Sequence, residues 1–280
     1  MQKALKKYFV LFALPGLICF CLAFLIPMAF GIILSFCKFS NLTNARFVGL
    51  SNYAKMFVDG NFGHAFGFTV LFTLVSTLTI NVMAFTLAML LTRGLKGTNV
   101  FRTIFFMPNL IGGIVLGWIW QVILNGILMK SGVTLVSNAK YGFWGLVFLV
   151  NWQNVGYMMV IYIAGIQNIP SDLIEAAQID GAGKWIMLTN VIIPSIMSSI
   201  TICTFLTLTN GFKLFDQNLA LTAGDPGKTS EMLALNIFNT FYGRNGFEGV
   251  GQAKAVVFTM IVAAIALTQL RITRGKEMES

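Results

Sequence analysis

Gly227, Lys228 and Thr229 spell the end of a phosphate-binding loop, G-x-x-x-x-G-K-[ST], in which backbone N–H groups and a lysine cradle a nucleotide. The first glycine of that pattern would have to stand where Thr222 is, and the segment precedes no buried strand–helix unit. It does not read as a nucleotide site. Metal chemistry is no better supplied. His64 is the one histidine, which excludes an HExxH site, and it reads as a loop residue near a membrane surface. Cys19, Cys21, Cys37 and Cys203 form no CxxC pair, so neither a metal site nor a disulfide framework is indicated. No residue is assigned a catalytic role.

The remaining polar candidates lie inside apolar runs. They are Asn151, Trp152, Gln153, Asn154 and Tyr157 in one run, Thr204, Thr207, Thr209 and Asn210 in another, and Asn81 in a third. Such groups fit hydrogen bonds between helices as well as contacts to a polar solute.

The elements that must position them follow from composition. Of the 280 residues, 56% are hydrophobic and 10% charged, where a soluble domain carries roughly a quarter charged. With a mean hydropathy of +0.78, lipid must be the solvent for most of the surface. Apolar segments long enough to cross about 30 Å as helices run at about 8–36, 65–92, 101–125, 143–168, 190–217 and 254–271. The expected fold is therefore an all-α integral membrane protein with six transmembrane helices in a single domain over 1–280. Pro108, Gly112 and Gly113 predict a kink or close helix packing in the third span. Lys3, Lys6 and Lys7 before the first run resemble the start of a signal peptide. That run is too long for an h-region and has no A-x-A-like site, so it reads as a span.

The formal net charge of +9 would suggest nucleic acid in a soluble protein. Here the basic residues lie between apolar runs. Lys3, Lys6, Lys7, Arg93, Lys96, Arg102, Lys184, Arg271, Arg274 and Lys276 collect on one side, which predicts both termini in the cytoplasm. The span bodies lack acidic residues, apart from Asp216 at the fringe of the fifth, which argues against an ion-coupled carrier.

Between the fourth and fifth spans lies a loop at 169–189. Pro170 ends the fourth span, Ser171 or Asp172 can cap a short helix with Glu175 near its first turn, and Gly181 ends it. A second amphipathic piece starts near Ala182, with Trp185 at the interface, and Pro194 marks the start of the fifth span. The residues alone fit either a knob for a partner protein or an ordinary amphipathic connector.

This loop resembles the cytoplasmic EAA loop of ABC-importer permeases, E-A-A-x3-G-x9-I-x-L-P. Glu175, Ala176, Ala177, Gly181, Val191, Ile193 and Pro194 match it in register. The longer form of the sugar-type branch, I-P-x-D-L-x-E-A-A-x-I-D-G-A, is matched from Ile169 to Ala182. Phe47–Tyr53 resembles the F-V-G-L-x-N-Y that follows the first span in permeases similar to the maltose-transporter inner-membrane subunits. Phe215-Asp216 and Leu221–Gly227 resemble the F-D and L-T-x-G-G-P segment, with Asp225 departing from the usual glycine.

The resemblance implies that Glu175, Ala176, Ala177, Asp180, Gly181 and Ala182 form a coupling helix that docks in a cytoplasmic ATPase. It also implies a second, related permease, two ATPases that bind the ATP, an extracytoplasmic solute-binding protein, and a bacterial inner-membrane location. No cofactor and no nucleic acid are implied for this chain. A sugar path needs hydrogen-bonding and aromatic groups near mid-membrane. The candidates are Asn151, Trp152, Gln153, Asn154, Tyr157, Thr204, Thr207, Thr209, Asn210 and Asn81. A glycerol phosphate or a polyamine is the alternative solute, although the spans lack the charges either would favour.

Overall fold

The computed structural model describes residues 13–94 and 96–277, with side chains described as far as Arg271 except that of Leu42. Lys3, Lys6, Lys7 and the first residues of the predicted first span lie outside the described residues, as do the side chains of Arg274 and Lys276. Most of the described chain is helical, as lipid requires: without water, backbone N–H and C=O groups must be satisfied within the segment.

In chain order, α1 covers Ala13–Ser35, and a two-residue antiparallel pair, β1 (Cys37–Lys38) and β2 (Arg46–Phe47), follows it. Helix α2 covers Ser51–Val58, α3 Gly60–Leu91 and α4 Thr98–Phe106. Next come α5 (Gly113–Leu128), α6 (Ala139–Gln167) and α7 (Ser171–Ile179). Helices α8 (Lys184–Ser195) and α9 (Met197–Phe212) form a pair bent by 71°. The chain continues through α10 (Asp216–Leu221), α11 (Leu233–Gly243) and α12 (Glu248–Glu277). Among the described residues α1, α3, α5 with the 3-10 turn that carries it to Ser131, α6 and α12 are long and apolar enough to cross a membrane, and α8 with α9 makes a sixth span when taken as one.

The helix edges show where hydropathy misleads. Hydrogen bonding carries α3 back to Gly60, so His64, read from sequence as a loop residue, sits in its first turns with Nε2 2.9 Å from Thr229 O. The third apolar segment is broken as its proline and glycines predict. A 3-10 turn covers Met107–Leu110, and Gly112 is extended (φ −60°, ψ 142°). The fifth segment is less regular than expected. Pro194 has no N–H to give, a π turn over Met187–Ile192 precedes it, and the direction changes at Ile196 (φ −102°, ψ 18°).

The described chain packs as two compact units. The first takes the residues up to Gly60 together with Ile237–Met260. Its interior holds Lys254, whose side chain is 0% exposed and donates to Asp59 Oδ2 at 2.9 Å and to Thr240 Oγ1 at 2.9 Å. Arg244 approaches the same carboxylate at 3.5 Å. Breaking such a pair strands a charge away from water. Asp59→Asn is expected to cost about 3–5 kcal/mol, read as a lowered thermal midpoint in detergent. The apolar double replacement Asp59→Leu with Lys254→Met should recover most of it. A midpoint unchanged by Asp59→Asn alone would show that the pair is not structural.

The second unit takes Asn61–Asn236 and Ile261 onward. Its centre is α6, which is largely buried and supplies fifteen of its own residues to the interior. Phe72, Ile80, Leu146, Leu149, Met158, Met159, Tyr162 and Ile196 form its core. Gly156 lets α6 lie directly against the backbone of α4, because a Cβ there would fall on Phe105 O. Gly113 and Gly117 do the same for α5 against α10: their Cβ positions would lie 2.8 Å from Asp216 Cβ and 2.5 Å from Ala220 Cβ. The sequence offered a kink or close packing in the third span, and the structure has both.

Candidate functional site

Two places in the second unit concentrate chemistry. The first is the loop over 169–189. Pro170 is the N-cap residue of α7 and no side chain caps the helix; Ser171 Oγ instead faces Asp172 Oδ1 at 3.3 Å. That corrects the expected cap: Ser171 and Asp172 are the first two residues of α7, inside the position from which a side chain caps, and that position holds a proline. The other end follows the expectation closely. Gly181 is left-handed (φ +76°), Gly181 N donates to Gln178 O at 3.1 Å, and Ala182 N donates to Ala177 O at 2.9 Å. These two bonds define a Schellman C-cap, which needs glycine at that position. The E-A-A-x3-G spacing is therefore the length of one short helix plus its left-handed stop.

Glu175, Ala176, Asp180 and Gly181 are exposed on this helix and its stop, while Ala177 and Ala182 are half-buried against its end. Ile174 points inward to the core. Leu173, Ile179, Trp185 and Ile186 are exposed large apolar side chains in the same short stretch. Asp172, Glu175 and Asp180 surround them with negative charge, against Lys184. Exposed apolar groups on a fixed, charged knob have the make-up of a protein-docking surface.

The second place is a cavity of about 300 Å³. It lies beside Ser76 on α3, Gln153 and Asn154 on α6, and Thr207 and Asn210 on α9, and is completed by Lys213, Asp216 and Gln217. Ser76 and Gln153 sit at the middle of their helices, about 20 Å from either end at 1.5 Å per residue. Gln153 joins two helix breaks there. Its Nε2 donates to Ile111 O at 3.3 Å in the α4–α5 break, and its Oε1 accepts from Gln217 Nε2 at 2.8 Å beyond the α9–α10 break. Irregular backbone at that depth is tolerated where it is buried in protein or lines a polar cavity. Ser76 Oγ is buried with no hydrogen-bond partner among the described residues and borders the cavity.

The sequence candidates divide accordingly. Gln153, Asn154, Thr207 and Asn210 come together at the cavity. Asn151 is buried and donates to Val147 O of its own helix, away from the lining. Trp152 faces outward, 42% exposed, with its ring 5.3 Å from that of Trp120. Tyr157 packs on Phe106 with ring centres 6.3 Å apart, and Thr204 and Thr209 are also absent from the lining. Asn81 bonds Thr207 Oγ1 at 3.0 Å and accepts from Tyr162 at 2.7 Å, which fixes α3 to α9 and α6. Asp216, assigned from sequence to the fringe of the fifth span, instead borders the cavity with Lys213 at the level of the α6 midpoint. Neither Lys213 nor Gln217 stood out in the sequence. The signal was a Lys and an Asp three apart in Lys213-Leu214-Phe215-Asp216, inside an otherwise uncharged stretch.

A bundle of broken spans, a short exposed helix with a glycine stop and a mid-depth polar cavity define a membrane-embedded transport subunit. The chain belongs to the family described as binding-protein-dependent transport system inner membrane component, whose pattern matches residues 84–272; it is a multi-pass inner-membrane protein. It is 42% identical over 280 residues to a probable starch degradation products transport system permease protein, AmyD, of Thermoanaerobacterium thermosulfurigenes, covering 97% of this chain and 96% of that one. The multiple sugar-binding transport system permease protein MsmF of Streptococcus mutans is 30% identical, with 99% of each chain covered. A solved bacterial ABC transporter involved in import of the acidic polysaccharide alginate shares the fold, with a TM-score of 0.81, 20% identity and 98% of each chain covered.

Proposed function

We propose that residues 1–280 act as one permease domain of an ATP-driven importer of neutral sugars or oligosaccharides. The chain lines half of the path, pairs with a second, related permease, and receives its solute from an extracytoplasmic binding protein. Two cytoplasmic ATPases bind and hydrolyse the ATP; this chain has no ATPase site of its own. Glu175, Ala176, Ala177, Asp180, Gly181 and Ala182 carry the motion of those ATPases into the bundle, with both termini on the same cytoplasmic side.

The observation that carries the solute reading is the meeting of two helix breaks on Gln153 beside the mid-depth cavity. Its lining is rich in amide and hydroxyl groups, which match sugar hydroxyls as donors and acceptors. Its two charged side chains, Lys213 and Asp216, are of opposite sign, so the lining favours neither an anionic nor a cationic solute. The names of the relatives, starch degradation products and multiple sugars, agree with that balance.

The experiment is uptake of labelled α-glucan oligosaccharides by membranes carrying Asn210→Leu. Asn210 is exposed and lines the cavity, so its replacement leaves the core intact. Losing one hydrogen bond to the solute is expected to lower uptake about tenfold, at unchanged amounts of assembled transporter. Uptake equal to the unsubstituted protein for every sugar tried would remove the cavity from the path.

A further inference from the structure

The hairpin after α1 carries an arrangement that belongs to neither the cavity nor the loop over 169–189. Lys38 and Arg46 stand directly opposite each other in the ladder between β1 and β2, and both are exposed. Opposed side chains on antiparallel strands lie on one face with Cβ atoms about 5 Å apart, and like charges there repel. Among the described residues neither belongs to an ion pair; the ion pairs of this unit join Asp59 to Arg244 and Lys254. A lysine and an arginine held side by side make a fork of N–H donors that suits one phosphate group. Lys55 on α2 adds a third exposed positive charge in the same segment.

A second, independent feature bears on the source such a phosphate would have. Phe47, Leu50, Phe57 and Val58, all outside the spans, are 69–85% exposed. The segment bearing them is fixed to the end of α1. Asn52 Nδ2 donates to Ser35 O at 2.8 Å and to Cys37 O at 2.9 Å, and the Ser35 and Tyr53 hydroxyls are 2.7 Å apart. Helix α1 is itself almost wholly unburied and apolar. The exposed rings and cations thus adjoin the end of an unburied apolar helix long enough to span a membrane, where amphipathic side chains anchor at the level of the headgroups.

We propose that Lys38 and Arg46 clasp the phosphate of an anionic phospholipid, with Phe47, Leu50, Phe57 and Val58 immersed in the leaflet beside it. This depends on α1 crossing the membrane and is independent of which solute is carried.

The test uses the full-length chain, with whatever subunits co-purify, in nanodiscs of phosphatidylcholine and phosphatidylglycerol. Each basic residue near an anionic surface contributes about fivefold in affinity, so Lys38→Gln with Arg46→Gln should weaken retention of phosphatidylglycerol about 25-fold. The charge-preserving exchange Lys38→Arg with Arg46→Lys should retain it. A nitroxide on Val58→Cys, in a background with Cys19, Cys21, Cys37 and Cys203 replaced by alanine, should relax with oxygen and not with a water-soluble nickel complex. Relaxation by nickel, shielding from both probes as under a protein partner, or unchanged lipid retention in the double variant would each overturn the proposal. Displacement of the lipid by millimolar inorganic phosphate would overturn it too, by making the site one for soluble anions.

Discussion

Gly156→Ala is expected to remove most of the folded protein from the membrane. A Cβ at position 156 meets the Phe105 carbonyl carbon and oxygen and lies 2.7 Å from Phe106 N. All three are backbone atoms, which cannot rotate aside as a side-chain tip can. Overpacking a core against movable side chains costs about 1–3 kcal/mol; here α4 must separate from α6, and the cost should exceed that range. The separation would also open the α4–α5 break where Ile111 O meets Gln153, so the damage reaches the cavity. The measurement is the yield of monodisperse protein after detergent extraction. Gly126→Ala is the comparison: with nothing within 4 Å of its Cβ position, it should match or slightly exceed the unsubstituted yield. Equal yields from both variants would show that α4 and α6 are not in contact as described.

The second large effect is on coupling and not on folding. Gly181→Arg puts a long cation on the stop that follows α7, where nothing lies within 4 Å of the Cβ position. The bundle is therefore not strained by crowding. The left-handed backbone (φ +76°) adds only about 1–2 kcal/mol of local cost for a residue with a Cβ. Transport is nevertheless expected to fall more than tenfold, since the arginine stands on the surface proposed to meet the ATPase. Gly181→Asn separates the two causes, because asparagine tolerates the left-handed region and is short. It should keep most of the uptake. If asparagine and arginine are equally harmful, backbone strain and not docking is the cause; if neither lowers uptake, the loop does not couple.

How legible all this was depended on whether the cause was local. The stop at Gly181 could be read directly, because a Schellman cap is a property of six consecutive residues. The break at 107–112 was also legible, since Pro108 and the two glycines are local breakers. The α9–α10 break was not. Its sequence, Asn210-Gly211-Phe212-Lys213-Leu214-Phe215-Asp216, has no proline, and hydropathy averaging runs straight through it. Beyond it, α10 packs on Gly113 and Gly117, about a hundred residues earlier in the chain, a contact no local pattern announces. Four consecutive candidates, Asn151 to Asn154, step about 100° each around α6, so they point in four directions. Only the packing of α6 selects Gln153 and Asn154 for the cavity and turns Trp152 outward. The Asp59–Lys254 pair, 195 residues apart, left no local mark at all.

The most direct test of the account is co-purification of the unsubstituted chain from its native membranes in mild detergent. A cytoplasmic ATPase and a second, related permease are expected in comparable amounts, with ATP hydrolysis stimulated by a sugar-loaded binding protein. Recovery of this chain without any ATPase, under conditions that keep it monodisperse, would contradict it.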